Sequence, residues 1–364
     1  MGELRILIVE DDEAIYNDVY KRNIDLFNKE NKEDQITDSW IQSKDEAIAA
    51  LKKLENVFDG AIVDLDLMGS GGTDTSGNEV VKEIKKNLRF PIFVITGTPH
   101  HIPADLNVTS TVFKVFERDE VNVLDTLHTF KAIKDTGILN LLNRNGKIEE
   151  LIQNIFWNHI STSLDNWTLD NKRTSAEKEG SLLRYAILHM LEYLDESKVH
   201  PSEFYITRPV KQFLSTGDLI TIDGNRYVVL TPACDFAQKN VSKVFLLRIK
   251  NISEEVSGIE GIQTINDLSN SKKAKLERII RNNSSSFHFI PQHSGIKAGI
   301  IDFQHKLSMP VEEIENGILK SEIDRFATIS MPFLKDLIGR YSNYYSRQGS
   351  PDFDSDEIIN SLLS

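Results

Sequence analysis

Short apolar runs in the N-terminal third of the chain each end on a polar residue with a chemical use. Leu4 to Val9 leads into Glu10 and Asp11, Ala61 to Val63 into Asp64, Ile92 to Ile95 into Thr96, and Thr111 to Phe113 into Lys114. Carboxylates brought together repel unless a cation lies among them, and hard oxygen donors with room for water and phosphate suit Mg²⁺. A lysine beside them adds positive charge, and a threonine hydroxyl can hold a phosphoryl oxygen. Such a set serves phosphoryl transfer onto a carboxylate.

The elements that must position these residues follow from the same runs. Continuous branched apolar stretches suit strands buried on both faces of a parallel sheet. Between them lie helical patterns at Lys44 to Leu54 and Asn78 to Lys86. This alternation predicts a doubly wound α/β sheet, in which ligands bind at the carboxyl ends of the strands.

In the order and spacing of ILIVEDDEAI, AIVDLDL, VITGT and FKVF, the N-terminal region resembles the response-regulator receiver (CheY-like) family. The resemblance implies that Asp64 accepts a phosphoryl group from a histidine kinase. It implies that Glu10, Asp11, Asp64 and the backbone carbonyl of Asp66 hold Mg²⁺, that Thr96 follows the phosphoryl group and that Lys114 pairs with it. Three departures stand out. Val115 replaces the family's usual proline after the lysine, and Thr111 replaces the aromatic residue three positions before it. From Leu67 to Gly77 the chain is longer and richer in glycine than the family's short turn, which reads either as a surface insertion or as a lid.

Beyond residue 120 the pattern becomes helical. Ile148, Leu151, Ile152, Ile155, Phe156 and Ile160 form one stripe after Gly146, expected to pack on its own domain, with a homodimer seam as the alternative. Ser161 to Gly180 reads as a polar loop and Leu182 to Leu194 as a helix. From Phe204 strands dominate: Asp218 to Ile222 and Arg226 to Leu230 flank Asp223-Gly224-Asn225, a hairpin signal, and Val244 to Ile249 follows. A polar helix is expected near Ile265 to Asn282, and a terminal helix from Pro332 carries Arg340, Tyr341, Tyr344, Tyr345 and Arg347. Arginine and tyrosine interleaved in this way stack on bases in some proteins, but more often they pack a terminal helix. The predicted organisation is a receiver domain at 1–135, a helical connector at 136–200, and a C-terminal α+β domain with a small antiparallel sheet at 201–364.

Cys234, in TPACDF, has His288, His293 and Asp302 downstream. This leaves open an effector enzyme with a cysteine nucleophile and a histidine, although a lone cysteine at a strand end is more often a small buried hydrophobe. His100 and His101 follow Pro99 in the loop after Thr96 and read as loop residues. TPACDF together with the late RQGSPDF also loosely resembles bacterial domains fused to receivers, some of them in phage-defence two-component systems.

A net charge of -13 disfavours wrapping nucleic acid, and neither a helix-turn-helix nor a zinc-finger spacing is present. No stretch has the roughly 18 consecutive apolar residues of a membrane span. A single cysteine allows no internal disulfide, which fits a reducing cytoplasm. The expectation is a cytoplasmic response regulator whose output is not DNA binding: it either changes contacts with a downstream protein or stores phosphate. A phosphorylation-controlled scaffold is the remaining alternative. The modification is stoichiometric, so the receiver itself is not expected to be an enzyme.

Overall fold

A computed structural model of the chain describes residues 2–55, 57–68, 74–194, 198–259, 261–262, 264–347 and 352–363. The chain divides into two units, Met1–Glu196 and Ser197–Ser364. The first carries the doubly wound parallel sheet expected of it, and the second is α+β with an antiparallel sheet.

In the first unit β1 (Gly2–Val9), β2 (Asp34–Ile41), β3 (Gly60–Val63), β4 (Ile92–Thr96) and β5 (Phe113–Glu117) lie in the order β2-β1-β3-β4-β5. Every neighbouring pair is parallel. The order reverses between β1 and β3, where a crevice opens at the strand ends. All residues of β3 and β4 are buried, because helices cover both faces. Their side chains join Ile6, Leu7, Ile8, Phe27 and Phe130 in one core. The edge strand β2 has no continuous apolar run: only Ile36 is buried, which is why its sequence does not announce it.

Strand β5 differs from expectation. The run Thr111 to Phe113 marks only its beginning, since Thr111 and Val112 are exposed in a turn closed by the Ser110–Phe113 bridge. Phe113 is buried, and the strand continues to Glu117, pairing Lys114 with Phe93 and Glu117 with Thr96.

The first unit ends in helices. Lys147–Ile155 begins after Gly146 as expected. The expected polar loop Ser161 to Gly180 is instead partly helical: Ser161–Ser163 and Asp165–Thr168 are short turns, and Ser175–Glu192 starts well before Leu182. A capping box sets that start. The Thr174 hydroxyl accepts from the Glu177 N–H at 3.3 Å, and the Glu177 carboxylate accepts from the Thr174 N–H at 2.8 Å.

The second unit contains β6 (Tyr205–Thr207), β7 (Asp218–Ile222), β8 (Asn225–Val229), β9 (Lys243–Asn251), β10 (Phe287–Ile290), β11 (Gly299–Pro310) and β12 (Asp324–Ile329), in the order β10-β11-β9-β8-β7-β12-β6. The hairpin β7–β8 turns at Asp223 and Gly224, with φ of 48° and 74°. That is the left-handed pair a two-residue turn requires, hence the Asp-Gly. The helix Met331–Tyr345 is not the last, since Ser355–Leu363 follows it, and it packs Tyr341 and Tyr344 on Phe303. Arg340 donates to the carbonyls of Asn282, Ser284 and Phe287, so this aromatic and basic stripe packs its own unit. Among the described residues no helix is long and apolar enough to cross a membrane.

Candidate functional site

The strand ends of the first unit converge on a cleft of about 330 Å³ lined by Glu10, Asp11, Asp64, Asp66, Thr96 and Arg118, among others. Backbone hydrogen bonds fix the order: Asp64 N–H donates to Val9 O at 2.9 Å and Arg118 N–H to Thr96 O at 3.0 Å. Glu10, Asp64 and Thr96 are buried. The Thr96 hydroxyl bonds the Asp64 carboxylate, and the Leu65 N–H donates to Asp64 Oδ1 at 2.8 Å. Asp12 caps the next helical turn, accepting from the Ala14 and Ile15 N–H groups, and so leaves Glu10 and Asp11 to face the cleft. At the other wall the helix Gly77–Asn87 approaches so closely that a Cβ at Gly77 would collide with the Asp64 carbonyl oxygen.

Ligand oxygens of Glu10, Asp11 and Asp64 lie within 4.8 Å of one another. Against these three carboxylates stands the Arg118 guanidinium, with Nη2 at 2.8 Å from Asp64 Oδ2 and 3.0 Å from Glu10 Oε2. Burial raises the Glu10 pKa to about 8, with Arg118 opposing and the Asp64 charge adding to the rise. Burial also raises Asp64, opposed by the Thr96 hydrogen bond and by Arg118. One guanidinium leaves negative charge uncompensated, and the donors are all hard oxygens, so the set fits Mg²⁺.

Of the residues singled out in the sequence, Glu10, Asp11, Asp64, Asp66 and Thr96 come together. Lys114 does not. It sits opposite Phe93, three residues before the Glu117–Thr96 pair, roughly 10 Å back along the strand. The polar residue after the apolar run is not the strand end: β5 runs on and delivers Arg118. Residues 69–73 of the glycine-rich stretch lie outside the described residues. Beside them, Asp74 Oδ2 accepts from the Leu67 N–H at 3.0 Å, tying the two ends of that stretch together.

The second candidate site does not assemble. Cys234 is exposed next to Asp235. His288 is buried on β10 with Nδ1 3.8 Å from Asp336, His293 pairs with Ser294, and Asp302 pairs with Lys250 at 2.7 Å. Among the described residues no hydrogen bond joins Cys234 to a histidine. His100 and His101 lie in the short turn after β4, where the His101 carbonyl accepts from Asn78.

No protein-family model matches the chain, and no curated protein matches it in sequence. Among solved structures it is similar to a CheY-like response regulator receiver domain protein from Methanospirillum hungatei JF-1, at 23% identity over 37% of this chain and 96% of that one, with a TM-score of 0.27. It is also similar to the response regulator TrrA of Thermotoga maritima in complex with Mg(2+)-BeF, at 22% identity over 35% of this chain and 98% of that one, with a TM-score of 0.25. A chain from the complex of the histidine kinase ThkA with TrrA gives 20% identity over 35% of this chain and 97% of that one, with a TM-score of 0.25.

Proposed function

We propose that the first unit is a phosphoacceptor domain of a two-component phosphorelay, with Asp64 as the residue modified. The observation that carries this reading is the placement of the Asp64 carboxylate at the floor of a strand-end cleft, between the Thr96 hydroxyl and the Arg118 guanidinium. An Asp64 oxygen attacks the phosphorus of a phosphohistidine on a histidine kinase. The P–N bond breaks, an acyl phosphate forms, and the leaving imidazole takes up a proton. Thr96 donates to the oxygen of the incoming group, and Arg118, always charged, neutralises what develops there.

Glu10, Asp11, Asp64 and the Asp66 carbonyl would hold Mg²⁺, which when bound neutralises phosphoryl oxygens. In this reading Arg118 supplies the positive charge that the family resemblance assigned to Lys114. The second unit is the output element, changing its contacts with a downstream protein or leaving the first unit to act as a phosphate store. The net charge of -13 and the commitment of Arg340 to backbone carbonyls support an output other than nucleic-acid binding.

Incubation of the full chain with acetyl phosphate and Mg²⁺ tests the proposal by intact mass. One phosphate per chain is expected, abolished by EDTA and by Asp64→Asn. A phosphate that persists in folded Asp64→Asn would refute it.

A further inference from the structure

The helical pair that closes the first unit leaves a broad apolar face open. In Ser175–Glu192 no residue is buried. Over positions 182–191, LLRYAILHML, only Arg184 and His189 can carry charge. Exposure along this stretch alternates in pairs. Leu182, Ala186 and His189 are half-buried on the side where the His189 ring lies 4.7 Å from that of His159. At about 100° per residue, Leu183, Ile187, Leu191 and Leu188 fall on the remaining arc, roughly 140° wide. They are exposed at 62%, 49%, 55% and 60%. The helix Lys147–Ile155, continued by the wide turn Phe156–Ile160, also exposes apolar side chains, Phe156 at 43% and Trp157 at 69%. Between 182 and 191 the helix Ser175–Glu192 presents apolar side chains on both sides, and it is covered on one side only.

We propose that a second copy of the chain covers this face, the two hairpins closing into a four-helix bundle about a two-fold axis. The area supports this occupant. At roughly 200 Å² per large apolar side chain, the four residues of this arc leave on the order of 450 Å² open per copy. A homodimer interface of standard size needs ~800 Å² per partner, about 65% of it apolar, or roughly 500 Å². The character of the face supports it as well. Between 182 and 191 the exposed arc of the longer helix carries a single charged residue, Arg184, so this stretch asks for no complementary charge from a different partner. Two-fold packing sets the same apolar stripe against itself, and each hairpin contributes two of the four helices. This inference does not depend on the acceptor chemistry proposed for Asp64.

Sedimentation of the full chain at micromolar concentration tests it. The expected species has twice the chain mass of 41.4 kDa. The Ile187→Glu, Leu191→Glu pair should sediment as a monomer with the far-UV circular dichroism of the parent. If that pair unfolds the helix, the milder Leu183→Ala, Leu188→Ala pair should raise the dimer dissociation constant at least tenfold. A parent chain that is monomeric at tens of micromolar would overturn the proposal. So would an unchanged dissociation constant in the alanine pair.

Discussion

Arg118 Nη2 sits 2.8 Å from Asp64 Oδ2, an ion pair held at the carboxyl end of the central strands. The same nitrogen reaches Glu10 Oε2 at 3.0 Å, so one guanidinium spans Asp64 and its most buried acidic neighbour. Arg118 gets there because its N–H bonds the Thr96 carbonyl, which makes it the first residue past β5. A guanidinium in that position stays charged throughout the physiological range and presents several donors to phosphoryl oxygens.

Removing that cation should slow phosphorylation. Arg118→Ala is expected to lower the rate of acetyl-phosphate modification by on the order of 10²-fold, the usual cost of losing one preorganised donor to developing negative charge. Lys114→Ala, on the flank of β5, should stay within about twofold of the parent. Time courses on phosphate-affinity gels distinguish the two, and an equal loss in both would contradict the assignment of Arg118.

Gly77 has a packing duty. A methyl there meets the Asp64 carbonyl oxygen, which is backbone and cannot swing aside. Gly77→Ala should therefore destabilise the first unit by about 1–3 kcal/mol, the common cost of overpacking, and lower phosphate incorporation with it. Urea denaturation followed by far-UV circular dichroism reads the first effect, and intact mass reads the second.

The second unit should weaken in acid through His288. Burial holds this imidazole below its ordinary 6.5, at about 4, with Asp336 only partly opposing. The unfolded chain takes up the proton below pH 6.5 and the folded chain does not until about pH 4. The contribution is therefore intact above 6.5 and is lost as pH falls through that window, by on the order of 3 kcal/mol. Comparing urea midpoints of the parent and His288→Phe at pH 7 and pH 4.5 isolates the effect. The parent should lose more stability on acidification than the variant, and parallel losses would count against it.

The capping box that starts Ser175–Glu192 is exposed to the same kind of test. Thr174→Ala removes the acceptor for the Glu177 N–H and should cost that helix about 1 kcal/mol. A lowered melting temperature with unchanged phosphate incorporation is the expected pair of results.

Much of the first unit was legible because its buried strands write themselves as apolar runs. Glu10 and Asp64 follow β1 and β3 directly and Thr96 ends β4, so the runs located them. Strand β5 misled because its run is interrupted: Lys114 breaks the apolar stretch, yet Val115 and Phe116 continue it and pack against the core. Reading on through those two residues would have reached Glu117 and Arg118. Strand β2 was silent because an edge strand buries little, and the start of Ser175–Glu192 was hidden in a polar stretch although Thr174 and Glu177 carry a capping-box spacing. In the second unit the Asp-Gly turn disclosed β7 and β8. Strand β12, by contrast, pairs with β6 and β7 far back in the chain, a partnership no local pattern specifies. Cys234 and the later histidines shared a list of reactive types without sharing a place in the fold.

The most direct test of the account is to locate the phosphoryl group on the chain. Borohydride reduces an aspartyl phosphate to homoserine, which peptide mass spectrometry can place. After treatment with acetyl phosphate and Mg²⁺, the account predicts homoserine at position 64 and the loss of that product in Asp64→Asn. Homoserine at position 11 or 66 instead, or a phosphate that resists trapping because it sits on a histidine, would contradict it.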